Sequence, residues 1–194
     1  MEGFWYMTIF EEAVCFATEA HQGMRRKSEP KPYIIHPLEV AVIAATMTDD
    51  EEILAAAVLH DTVEDTGTMI SDIKNKFGQR VAKLVWSETE DKIDYLPAEA
   101  TWMMRKEESL KVLKDTDDKA VKMVWLSDKL ANMRSFYRQW RVVGNDLWND
   151  FNQKDPKMQA WYYRTLTAYL ADLKEFDAWQ ELNQLVNTVF EEAD

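Results

Sequence analysis

The sequence predicts an all-α fold, on three observations. Five Gly and five Pro in 194 residues leave little material for the tight turns of a sheet. No stretch alternates β-branched and polar residues as a half-buried strand does. The longest unbroken apolar run, from Ile53 to Leu59, is dominated by Ala and Leu, which arbitrates for helix where periodicity alone would not exclude a strand. A helix apolar on every side belongs at the centre of a bundle.

The elements follow in order. A first helix is expected over about 5–21, with Phe10, Val14, Ala17 and His21 on one face and Gly23 as its stop. His21 then falls in the last turn, where capping the final carbonyls is favoured over metal ligation. Residues 23–35 hold the basic triplet and two of the five prolines, a loop that ends at His36-Pro37. Pro37 suits a first helical position, which makes His36 the cap and pairs Ile35 with Val40 as a hydrophobic staple. Thr48 and Glu51 have the spacing of a capping box ahead of a central helix over 53–65. Short helices over about 69–77 and 79–87 read as scaffold, Glu88 to Lys92 as a solvated loop, and 98–113 as a further helix. A helix over about 117–135 precedes a long loop or broken helix over 136–155. Amphipathic helices over about 156–173 and 176–190 close the chain, with Trp161, Tyr162, Tyr169 and Trp179 as core packing.

Length and composition fit one domain, residues 1–194, with the motif-bearing core over about 10–135 and the helices over about 156–190 completing the bundle. A single Cys15, ten Met and no secretory leader point to a reducing cytoplasm. No apolar run approaches the ~20 residues that span a bilayer, so a soluble protein is expected. The net charge of −12 argues against nucleic-acid and anionic-membrane partners. The one tight basic cluster, Arg25-Arg26-Lys27, marks where a small polyanion could bind. Oligomeric state is not legible.

Four ionisable groups, His60, Asp61, Glu64 and Asp65, follow the apolar run directly. Burying them is costly unless they are neutralised, hydrogen-bonded or bound to a cation. On one continuous helix His60 and Glu64 share a face, as do Asp61 and Asp65, so all four can border one pocket. A second anomaly is Asp128, a carboxylate in the apolar stripe of Val121, Val124 and Ala131. Asn132, one turn on, faces the same space, whereas Lys129 and Arg134 read first as surface salt-bridge partners and second as phosphate contacts. The candidate metal ligands are His36, His60, Asp61 and Asp128. Two imidazoles and two carboxylates suit Mn²⁺, Fe²⁺ or Zn²⁺ better than the soft metals, with a buried salt-bridge network as the competing reading.

The set also resembles a known family. His36, the pair His60-Asp61 and the later Asp128 are similar to the metal-binding pattern of the HD-domain phosphohydrolases. His21-x-Gly23-x-Arg25, Pro32-Tyr33-Ile34-x-His36-Pro37, Leu59-His60-Asp61-x-Val63-Glu64-Asp65-Thr66, Phe77-Gly78-x-x-Val81-Ala82-x-Leu84-Val85 and Asp128-Lys129-Leu130-x-Asn132-Met133-Arg134 resemble the hydrolase domain of RelA/SpoT-type alarmone enzymes. The chain leaves no room for the synthetase and regulatory domains of the long enzymes, so it is expected to stand with the small alarmone hydrolases, which include a metazoan form. The resemblance implies an HD-type helical bundle and hydrolysis of guanosine 3′,5′-bis(diphosphate), ppGpp, at its 3′ position, with pyrophosphate released and Mn²⁺ as cofactor. It implies Glu64 and Asp65 as the acid–base pair, Arg25, Arg26 and Lys27 as phosphate contacts and Asn132 as a site-facing amide. Met24, the segment Lys27 to Lys31 and the segment Ser87 to Glu90 depart from the family pattern, which bears on substrate more than on activity. The alternatives are HD-type action on another nucleotide, such as the NADPH 2′-phosphate, and a non-catalytic nucleotide-binding module.

Overall fold

The structure is a computed structural model that describes residues 6–26, 30–90 and 96–191. Its elements are α1 (Ile9–Ala20), α2 (Ile35–Ala44), α3 (Glu51–Leu59), α4 (Thr62–Asp65), α5 (Ile70–Glu88), α6 (Ala98–Asp115), α7 (Lys119–Val143), α8 (Pro156–Tyr169) and α9 (Asp177–Val189), with 3₁₀ turns at Gly144–Asp150 and Ala171–Leu173. Among the described residues there is no strand, only a single antiparallel bridge between Arg25 and Pro32. None of the described helices is long and apolar enough to cross a membrane.

The all-round apolar segment is the hub. Ala55 to Leu59 are fully buried, and α3 packs against α1, α2, α5 and α7 at once. The run is shorter than the sequence suggests, because α3 ends at Leu59 and a separate single turn, α4, carries Glu64 and Asp65. Side chains compete for the carbonyls that would continue the ladder. The ring of His60 bonds through Nδ1 to the Ala57 carbonyl at 2.8 Å, and Thr62 Oγ1 donates to the Leu59 carbonyl at 2.7 Å.

Cap chemistry differs from the pattern at three other helix starts. Asp50, not Thr48, caps α3, accepting from the Glu52 amide at 3.1 Å while Arg80 grips its carboxylate from α5 at 2.7 and 3.0 Å. Helix α2 begins at Ile35, which places His36 inside the first turn and leaves no side-chain cap. Ile35 is largely exposed while Val40 is fully buried, so they do not form the expected staple. Thr8 and Glu11 form a true capping box for α1, and the expected start at Trp5 lies outside the described residues.

Beyond Asp128, α7 runs on to Val143 and the chain continues in a 3₁₀ turn to Asp150, the broken-helix form of the two that the sequence suggests for this stretch. Burial supplies the reason. Leu147 and Trp148 are buried, and Trp148 packs edge-on against Phe136 and stacks on Phe190, so aromatic packing holds a segment whose Asn and Gly content is poor in helix propensity. Tyr162 is buried, and Trp161, Tyr169 and Trp179 pack against the core as expected.

The two short helices expected around Gly78 are present as a kinked α5, broken at Gly78 with φ 91° and ψ 170°. Such angles are essentially confined to glycine. A Cβ there would meet nothing within 4 Å, so any penalty for Gly78→Ala is purely backbone. The substitution is expected to destabilise the protein by about 1–3 kcal/mol, read as a lower urea midpoint. A midpoint that is unchanged or raised would mean the kink is not required.

Candidate metal centre and cavity

Three packed segments bring the donors together: the first turn of α2, the α3–α4 junction and the middle of α7. His36 Nε2 lies 3.0 Å from Asp128 Oδ1 and 3.5 Å from Asp61 Oδ2. His60 Nε2 lies 3.0 Å from Asp61 Oδ2 and 3.5 Å from Asp128 Oδ1. One ligand atom each from His36, His60 and Asp128 fits within 4.8 Å, and Asp61 completes a ring of two nitrogens and two oxygens. His36, His60 and Asp128 are buried, while the Asp61 side chain is 18% exposed on the open side.

The donor set fits a divalent cation, and one atom makes the point. His60 Nε2 is buried and forms no hydrogen bond with any described residue, despite two carboxylate oxygens within 3.5 Å. Its other nitrogen donates to the Ala57 carbonyl, so in the neutral ring Nε2 carries the lone pair, beside the Asp61 and Asp128 oxygens, where a cation could take it. Without a cation, burial would lower the basicity of His60, but the Asp61 and Asp128 carboxylates outweigh burial and hold it well above the usual histidine range. Burial prevails at His36 and lowers it, with Asp128 opposing.

The acid–base candidates sit at the rim. Glu64 and Asp65 are half-buried on α4 and line a cavity of about 580 Å³ together with Arg25, Arg26 and Asn132. Arg26 donates to Asn132 Oδ1 at 2.6 Å, and Asn132 Nδ2 donates to Asp128 Oδ1 at 2.7 Å, so the basic loop and the donor ring are joined through one amide. The loop is tied back by the Tyr33 amide to the Met24 carbonyl at 3.0 Å, and Arg25 bonds the Pro30 carbonyl. Lys27 lies outside the described residues, as do Ser28, Glu29, Asp91 and Lys92.

Several side chains at the site had no assigned role. Tyr33 places its hydroxyl 2.6 Å from Asp61 Oδ2 and 2.8 Å from Asp65 Oδ2, one oxygen from the donor ring and one from the rim. One proton can serve only one carboxylate at a time. Burial and the two carboxylates push the Tyr33 phenol far above its ordinary range, so it stays a donor. Its position three residues before His36 was the available signal. Arg105, which also lines the cavity, carried none.

Three expectations need correction here. His21 caps α1 through its backbone amide; its ring is buried against Tyr33, centroids 4.9 Å apart, with neither nitrogen hydrogen-bonded to a described residue. Lys129 is no surface partner: its side chain is 13% exposed and its ammonium lies 2.5 Å from Asp128 Oδ2 and 3.3 Å from Glu88 Oε2. Its ammonium also sits over the Trp125 ring, 4.9 Å from the centroid, which a helical-wheel reading cannot show. The stretch expected to be solvated from Glu88 is also engaged, with Glu88 buried and the Glu90 carboxylate bound by Arg105 and by Lys106 at 2.5 Å. Arg134 does pair as expected, with Glu181 at 2.6 Å.

A helical bundle with this donor ring defines a class, and the chain belongs to the HD-domain family, whose pattern matches residues 13–154. Within that class it is 44% identical over 130 residues to the guanosine-3′,5′-bis(diphosphate) 3′-pyrophosphohydrolase MESH1 of Xenopus tropicalis, covering 66% of this chain and 69% of that protein. It is 41% identical over 128 residues to the enzyme of the same activity name from Aquifex aeolicus, where the match covers 66% of this chain but only 18% of the relative. A solved structure described as a metazoan ortholog of SpoT that hydrolyzes ppGpp shares the fold, with a TM-score of 0.71 over 98% of both chains at 24% identity.

Proposed function

We propose that this chain is a divalent-metal-dependent hydrolase of ppGpp and its pentaphosphate relative. It would cleave the bond between the 3′ oxygen and phosphorus to give pyrophosphate and GDP or GTP. One observation carries the reading: the His36, His60, Asp61 and Asp128 ring is tied through Tyr33 and Asn132 to a cavity that these two residues line together with Glu64, Asp65, Arg25 and Arg26. An acidic protein that concentrates arginines beside a buried donor ring is arranged for a phosphate-bearing small molecule. The activity named for the frog and Aquifex relatives supports the same substrate.

Mn²⁺ is the proposed ion, and a divalent cation held by the four donors supplies Lewis-acid polarisation of a phosphoryl oxygen and eases deprotonation of water. The remaining work falls to the chain. Arg26 and Asn132 orient the 3′-diphosphate, the guanidinium pairing two oxygens at once. Glu64 and Asp65 act as a coupled pair, one accepting a proton from the attacking water and the other returning one to the departing 3′ oxygen. Tyr33, bonded to Asp61 and Asp65, holds the ring and the rim at a fixed separation.

The test is incubation with Mn²⁺ and, separately, ppGpp, NADPH and simple nucleotides. Pyrophosphate release from ppGpp is expected; release of single phosphates only, or preference for NADPH, would overturn the substrate assignment. Arg26→Ala is expected to lower kcat/KM for ppGpp by about 10- to 100-fold, mostly through KM, as loss of one charge-assisted contact does. An unaltered KM would remove Arg26 from the phosphate site.

A further inference from the structure

The two oxygens of Asp128 have different company. Oδ1 faces His36 Nε2 at 3.0 Å and His60 Nε2 at 3.5 Å and accepts from Asn132. Oδ2 is taken by the Lys129 ammonium at 2.5 Å. Lys129 is held in turn by Glu88 at the end of α5, and the Asp128 and Glu88 side chains are 6% and 2% exposed. The second oxygen of Glu88 is buried without a hydrogen-bond partner among the described residues, and the ion pair the carboxylate makes there is with Lys129. Two residues on, the Glu90 amide donates to Glu64 Oε2 at 3.3 Å, while Lys106, Ser109 and Arg105 clamp the Glu90 side chain. The segment 88–90 therefore reaches both the donor ring and the acid–base rim.

We propose that Lys129, braced by Glu88, is a positioning residue that keeps Asp128 a one-oxygen ligand; this rests on the metal reading above. A carboxylate with one oxygen in an ion pair presents only the other to a cation. Freed, it can swing to bring both, filling a coordination position that a reacting water or phosphate needs. The ammonium also offsets negative charge at the ring, so its loss should not weaken cation binding.

The test compares wild type, Lys129→Met and Glu88→Gln by calorimetric titration with Mn²⁺ alone, by ppGpp turnover and by thermal melting. If wild type binds no Mn²⁺, the metal reading itself fails. Given wild-type binding, Lys129→Met is expected to bind Mn²⁺ at least as tightly while kcat falls about 10- to 100-fold. Glu88→Gln, which keeps the shape of the brace, should lose kcat in the same direction by less, with melting unchanged. Parallel loss of Mn²⁺ affinity and kcat in Lys129→Met would reduce Lys129 to packing or plain charge pairing and overturn the proposal. So would an unaltered kcat in both variants.

Discussion

Asp128→Ala is expected to abolish Mn²⁺-dependent pyrophosphate release, with kcat/KM falling on the order of 10³-fold or more, the scale of several kcal/mol of lost charge stabilisation. The expectation follows from where Asp128 sits. Its Oδ1 lies near both imidazoles, at 3.0 and 3.5 Å, as Asp61 Oδ2 also does, and it alone of the two fixes Asn132 and through it Arg26. Truncation removes a donor, leaves the Lys129 ammonium facing the ring uncompensated by its nearest anion, and releases the link to the basic loop. All three changes oppose cation and phosphate binding. The fold should persist, because Val124, Leu130 and Ala131 around it carry the α7 core contacts. Calorimetry with Mn²⁺ and a pyrophosphate assay decide the matter: wild-type Mn²⁺ affinity in a folded Asp128→Ala protein would strike Asp128 from the ligand set.

Glu64→Gln is expected to act on the other half of the chemistry. The amide keeps the shape and the acceptor for the Glu90 amide but cannot take a proton. The expected result is a fall in kcat of about 10²- to 10⁴-fold, the usual worth of a positioned general base or acid, with Mn²⁺ affinity and KM within a few-fold of wild type. That split separates a proton-handling residue from a ligand. Loss of Mn²⁺ binding in Glu64→Gln would instead move Glu64 into the donor ring, and an undiminished kcat would leave Asp65 as the working carboxylate.

Much of the site was legible before any coordinates. His60, Asp61 and Asp128 were set apart because each ionisable group falls in or beside an apolar stretch, where burial without a partner is too expensive to be incidental, and His36 joined them through the pattern they share with the HD-domain family. Their convergence in the fold agrees with that logic. Less legible was how the backbone achieves it. A continuous helix from Ile53 to Asp65 is the natural reading of a run rich in helix formers, yet His60 and Thr62 divert two carbonyls and split it. The acids Glu64 and Asp65 still reach the rim because α4 resumes a helical turn at once.

The parts that escaped notice share a cause. Tyr33, Lys129, Glu88 and Glu90 act through partners distant in sequence: Tyr33 on Asp65 across 32 positions, Lys129 on Glu88 across 41 and Arg105 on Glu90 across 15. A polar residue on a helix surface and one folded into an ion pair have the same local pattern, so Lys129 and the segment after α5 read as solvated. Likewise the 3₁₀ turn to Asp150 depends on Trp148 finding Phe136 and Phe190.

By itself, then, the sequence determined the helical class and the buried central helix, and composition, the cost of buried charge and the resemblance of its motifs singled out the four candidate donors and the candidate rim carboxylates. Tertiary structure alone decided which oxygen of Asp128 faces the imidazoles, that one tyrosine hydroxyl spans Asp61 and Asp65, and that a lysine read as surface is the counter-charge of the centre. Those depend on through-space distances of a few ångströms between separate helices, and electrostatics in a poorly solvated interior is governed by such distances.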